Sequence, residues 1–142
     1  MDENAVFKLF YAIVLCTILV ILIVITSSTN ITYYDQQLRA NSYTTRILND
    51  VGTPDGFLEK PINEKLLEQL FEVHKDSKLT FRVTVQSKDS QAVYYYNKEY
   101  FLQAFPFTKI HDAPYTHVQH VRWLQNDEEP IGVIIDYVFP DE

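Results

Sequence analysis

Residues 9–25 read LFYAIVLCTILVILIVI, a run without charge, glycine or proline in which only Thr17 brings an aliphatic hydroxyl and Tyr11 a phenolic one. No Asp, Glu, Lys or Arg stands between Lys8 and Asp35, and an uncharged window of that length can cross a ~30 Å hydrocarbon core as a helix. A surface helix of a soluble domain carries a polar stripe. This run has none, and a chain of 142 residues could hardly cover it all round. It is therefore expected to span a membrane. Residues 1–29 become an anchor, and residues 30–142 a head with enough chain for one core.

A cleavable signal peptide is the competing reading, because Thr26-Ser27-Ser28 supplies small residues after the run. The length of the run and its acidic start, Asp2 and Glu3, favour retention instead. Lys8 on one side and Arg39 and Arg46 well beyond the other leave the positive-inside count undecided. The expected orientation, with the head outside the cytoplasm, rests on the single-span layout and the Tyr-, Thr- and Ser-rich sequence that follows. Cys16, the only cysteine, lies within the run, so no intrachain disulfide can form. Asn30-Ile31-Thr32 fits a glycosylation sequon but falls close to the bilayer.

Residues 30–50 lack glycine and proline, and Ile31, Tyr34, Leu38, Thr45 and Leu48 fall at helical spacing with Asn41 interrupting. The anchor helix is expected to continue through them. Gly52 and the Thr53-Pro54-Asp55-Gly56 turn end it. A second helix is predicted over 63–75, with Leu66, Leu67, Leu70 and Phe71 on one face and Glu64, Glu68 and Glu72 in water. From residue 79 the period becomes two. Leu79, Phe81, Val83 and Val85 alternate with polar residues, and further strands are predicted over 92–96, 100–105, 115–125 and 131–139. Ile131, Val133, Ile135, Tyr137 and Phe139 should face one way. The predicted fold class is α+β: a long N-terminal transmembrane helix continues into a small domain with a second helix and a meandering antiparallel sheet over 79–139, helices on one face.

With 12 Lys and Arg against 19 Asp and Glu, the formal charge is −7. That argues against nucleic acid and anionic bilayer surfaces, which attract basic patches. Three glycines leave no phosphate-cradling loop, and no serine elbow or thiol stands outside the anchor. His111, Asp112, His117 and His120 cluster in sequence, but on a strand His117 and His120 point to opposite faces and cannot converge on one zinc ion. No catalytic residue, metal site or cofactor is expected. The aromatic runs, Tyr94-Tyr95-Tyr96 and Tyr100-Phe101 among them, fit subunit contacts better, with Tyr94 and Tyr96 on one face and Tyr95 on the other, one face core and the other open to a partner.

Asp2-Glu3-Asn4-Ala5-Val6 followed by an uncharged span resembles the N-terminus of archaeal type IV pilins and related pilin-like envelope proteins. After Val6 the family pattern of Ser-Pro-Val-Ile-Gly type gives way here to Phe7-Lys8-Leu9-Phe10. The resemblance implies a hydrophobic segment that serves both as membrane anchor and as packing core of a filament, below a β-rich head. The expected function is accordingly that of a non-enzymatic, single-pass structural subunit assembling into a filament or other envelope multimer. The alternative is an accessory or ligand-binding subunit of a larger membrane complex. Expected partners are the lipid bilayer and copies of the chain or other membrane subunits. Candidate assembly contacts are Ala12, Cys16 and Thr17 on the anchor and Tyr95 and Tyr100 on the head.

Overall fold

The computed structural model describes residues 3–53, 56, 58–74, 78–110, 114–125 and 129–141, and only the backbone of 3–6 and 28–32. The first helix, α1, spans Glu3–Val51. By contacts the chain forms two compact units, Met1–Asp35 and Gln36–Glu142. Within the first, Phe7–Ser27 is long and apolar enough to cross a membrane, and none of it is buried. Two of its hydroxyls, those of Thr17 and Thr26, turn inward to the helix backbone. Thr17 Oγ1 donates to the Ile13 carbonyl at 2.9 Å and Thr26 Oγ1 to that of Leu22 at 2.9 Å, so neither needs water.

The second unit is α+β. After α1 come α2 (Glu64–Leu70), a 3₁₀ turn (Glu72–His74), β1 (Thr80–Gln86), β2 (Gln91–Tyr96), α3 (Lys98–Ala104), a second 3₁₀ turn (Phe105–Lys109), β3 (Tyr115–Leu124) and β4 (Ile131–Pro140). Asn63 caps α2, its side-chain oxygen accepting the Leu66 amide at 2.8 Å. All pairings are antiparallel, in the order β2-β1-β4-β3. This is not the expected meander. Two hairpins join through β1 and β4, because α3 and the following turn carry the chain from one edge of the sheet to the other.

On one face, Phe81, Val83, Tyr96, Val133, Ile135, Tyr137 and Phe139 pack beneath α1 and α2 through Ala40, Ile47, Val51, Leu67 and Phe71. Period two places them there as predicted, with Ile131 partly covered beside them. The opposite face is also covered: Phe101 and Ala104 of α3 bury Val138, and Tyr95 and Phe105 pack against them. The sheet therefore has helices on both faces, where one was expected. Residues 100–105, predicted as a strand, belong to α3 and its 3₁₀ extension, with Pro106 in the turn. Aromatic β-propensity misled at Tyr100 and Phe101. Lys98, Glu99, Leu102, Gln103 and Ala104 are mostly good helix formers, and Phe101, Ala104 and Phe105 recur at helical spacing. Asn97 reverses the chain into α3 at φ 53°, a left-handed conformation that asparagine tolerates.

The buried stripe of α1 also differs from the predicted one. Gln36, Ala40, Thr44, Ile47 and Val51 are buried, whereas Tyr34, Leu38 and Thr45 are exposed and only Leu48 of the predicted set is partly covered. The side chain of Ile31 lies outside the described ones. Small Ala40 and Thr44 let the helix approach the sheet closely, which outweighs the apolarity of Leu38. Ala40→Leu should therefore overpack the interface and destabilise the head by about 1–3 kcal/mol, while Leu38→Ala stays within about 0.5 kcal/mol. Denaturant unfolding of the full chain in detergent, followed by tryptophan fluorescence, would measure both.

Candidate functional site

Ala12, Cys16 and Thr17 share one face of the span, where with Ile13, Val20 and Ile21 they line an apolar groove of about 450 Å³. Four-residue steps align Ala12, Cys16 and Val20, and the small first two leave the hollow. Cys16 is a free thiol on that surface.

On the head, Tyr95 and Tyr100 lie in the layer between sheet and α3. The Tyr95 ring meets Phe101 edge-on at 5.6 Å, and Lys98 Nζ lies 5.4 Å from its centroid. Tyr100 stands 6.3 Å from Tyr115, ring to ring. Burial and the bond to the Tyr115 hydroxyl push its phenol up to about 12. Both rings are half-buried. Both were singled out as candidate contacts; α3, which carries Tyr100, covers the part of the sheet on which Tyr95 stands.

Beneath the same layer lies a cluster of four polar side chains. Asp136 Oδ2 accepts Arg82 Nε at 3.1 Å and Nη2 at 2.8 Å, while Oδ1 accepts His117 Nε2 at 2.9 Å and Gln119 Nε2 at 2.8 Å. Register makes the cluster, since Arg82 and Gln119 both stand opposite Asp136 on its two neighbouring strands. Burial alone would raise the carboxyl, but the bonds from His117, Arg82 and Gln119 and the Arg82 charge together hold it down at about 2. The Arg82 guanidinium lies 5.5 Å from the Phe101 ring and 5.1 Å from that of Phe105. Phe105 also closes edge-on over His117 at 5.2 Å. Four donors occupy the carboxylate's acceptor positions, so Asp136 serves as a hub of the sheet and has little capacity left to accept a proton in transit.

His120 points to the other face, as the strand period requires. Thr44 Oγ1 lies 2.8 Å from its Nδ1 and 2.9 Å from Tyr137 Oη. Tyr137 is fully buried and its phenol is raised by that burial. The arrangement that gives every group a partner runs from Tyr137 O–H to Thr44, and from Thr44 O–H to a neutral His120. Burial, with a smaller effect from Arg122, lowers the imidazole. Protonating Nδ1 would add a third proton to a cluster with room for two, leaving that of Thr44 or of Tyr137 without an acceptor within it.

Of the sequence-level histidine cluster, His111 and Asp112 lie outside the described residues, and His117 and His120 are on opposite faces. Among the described residues no three metal-ligating side chains gather. An open cleft of about 620 Å³ lies between α2 and the end of β2, lined by Lys65, Glu68, Gln69, Glu72, Tyr96 and Asn97. Its buried hydroxyl, Tyr96, donates to the Phe71 carbonyl at 2.9 Å. Glu68 and Glu72 are water-facing, as expected.

Sequence reasoning missed the Asp136 hub and Thr44. A signal was present in β4, IGVIIDYVFP, whose near-continuous apolarity marks a strand buried on both faces. A lone aspartate there has to be paired.

No family model, curated protein or solved structure matches this chain.

Two limbs of pH dependence follow. His120 is lowered on folding, so its contribution to stability is complete above its ordinary value of 6.5. It is lost as the pH falls below that value, when the unfolded chain takes up a proton that the folded one resists. The Asp136 contribution is present above 3.8 and is lost as pH falls towards about 2. Thermal melts of the full chain in non-ionic detergent should show both, with His120→Gln flattening the first and Asp136→Asn removing the second. The Asp136→Asn variant should also cost about 2 kcal/mol at neutral pH, by leaving Arg82 without its counter-charge.

Proposed function

We propose that this chain is a single-pass membrane protein whose task is assembly: a pilin-like structural subunit, anchored through Phe7–Ser27, whose head lies outside the cytoplasm in a filament or other envelope multimer. The observation that carries the reading is the span itself. It is apolar all round and wholly unburied, so lipid or neighbouring helices must cover it. The groove at Ala12, Cys16 and Thr17 allows close approach of another helix, and the N-terminal resemblance points to the same design. The polar clusters of the head support it too, because their hydrogen bonds tie strands and helices to one another.

A second reading, an accessory subunit among unlike membrane proteins, draws on the cleft between α2 and β2, which is open to a partner's side chains. Gentle shearing of native cells followed by mass spectrometry separates the two. Recovery of many copies in the sheared filament fraction is the expected result. Retention in the membrane beside unlike proteins in fixed ratio would replace assembly with the accessory role.

A further inference from the structure

The edges of the sheet hold an assembly surface that the register defines. Asp141 N donates to the Pro114 carbonyl at 2.9 Å, which makes residues 114 and 141 a hydrogen-bonded pair just beyond the last rung of the β3–β4 ladder. Alternation then fixes the rest. The even-numbered residues of β3 bond to β4, and the backbone groups of Tyr115, His117, Gln119, Val121 and Trp123 point out of the sheet. Applied through β4 and β1, the same alternation agrees with the observed bond from Ser87 N to Ser90 O at 2.9 Å. It leaves Gln91, Val93 and Tyr95 pointing outward on β2.

We infer that β3 is a dimerisation edge that pairs antiparallel with β3 of a second copy about a two-fold axis at Gln119, giving one continuous sheet. The inference rests on the assembly reading and names its contact. The five outward positions are symmetric about Gln119, so this one register uses all of them. It sets Tyr115 against Trp123, His117 against Val121, and Gln119 against itself. Trp123 is 70% exposed and Val121 41%, although both stand in an ordered ladder.

Charge selects the same partner. On the opposite face the register places Arg122 of one copy across from Thr116 of the other, whose hydroxyl bonds Asp141 at 2.6 Å. The exposed guanidinium is thereby brought to a carboxylate, twice per dimer. The β2 edge offers only three outward positions, and the equivalent pairing about Val93 would bring Lys88 towards Lys98 of the second copy. A foreign extended peptide could satisfy the backbone of β3, but it would not be bound to present the Arg122 and Asp141 complement.

Cysteine cross-linking of the full chain in detergent tests the register. In a Cys16→Ser background, Gln119→Cys should form a disulfide dimer on mild oxidation, because the paired Cα atoms would stand within the ~4.4–6.8 Å that a disulfide spans. Val93→Cys in the same background should not. Arg122→Asp should weaken the dimer about tenfold by sedimentation, and adding Asp141→Arg should restore it to within about threefold. Both charge variants sit at exposed positions, so they keep the test valid if Gln119→Cys disturbs Asp136. A multimeric chain whose Gln119→Cys variant forms no disulfide, or one indifferent to Arg122→Asp, overturns strand pairing and leaves assembly standing. Disulfide-linked dimers of the Gln119→Cys variant, in a chain that never enters the sheared filament fraction, support the pairing and remove the filament.

Discussion

The head depends on β4, a central strand buried on both faces. Val133, Ile135 and Tyr137 face α1 and α2, and Val138 faces α3. A strand of that kind needs a cover on each side, and the chain supplies two unlike ones. The thicker layer, from α1 and α2, surrounds Phe71, whose ring meets Tyr43, Phe81 and Tyr96 within 5.1–5.6 Å. The thinner layer is α3 and its 3₁₀ turn, which reach only part of their face. Asp136 sits under that thinner cover. A buried carboxylate would be costly if unpaired, but Arg82, His117 and Gln119 converge on it from β1 and β3. The cluster therefore ties three strands together and favours the one register in which its members are opposite.

The long apolar helix, the hairpin pairing of β3 with β4 and the alternation of β1 and β4 could be read from sequence because each depends on a local period or an unbroken composition. The opposing directions of His117 and His120 followed from that period alone. Three features were illegible for a common reason. The burial of Ala40 and Thr44 in place of Leu38 depends on how closely α1 approaches the sheet, which no property of α1 alone encodes. The helix at Lys98–Ala104 contains aromatic residues that read locally as strand, and its tertiary neighbours Tyr95 and Val138 decide its packing. The order β2-β1-β4-β3 follows from where that helix delivers the chain.

The two polar clusters differ in what they tolerate. Around Asp136 the charged form is the bonded form, and ionisation strengthens the cluster. Around His120 burial favours the neutral form, in which the imidazole can accept a hydrogen bond from Thr44. The sheet thus keeps a charge-dependent contact on one face and a charge-intolerant one on the other. It is most stable where Asp136 has ionised and His120 has lost its proton, near neutrality.

An unpaired edge is a hazard that sheets commonly blunt with charge, proline or brevity. β2 is short and flanked by Lys88 and Lys98, so its exposure is limited. β3 is ten residues long, carries one formal charge at Arg122, and near its end sets Val121 and Trp123 exposed on the α3 side of the sheet, beyond the reach of α3 itself. Trp123 lies against Gly132, where an added Cβ would stand 3.1 Å from the ring. The glycine thus makes room for an indole that keeps most of its surface in solvent. Its small size is accounted for by accommodating Trp123, and the proposed pairing across the edge would give the exposed indole a neighbour.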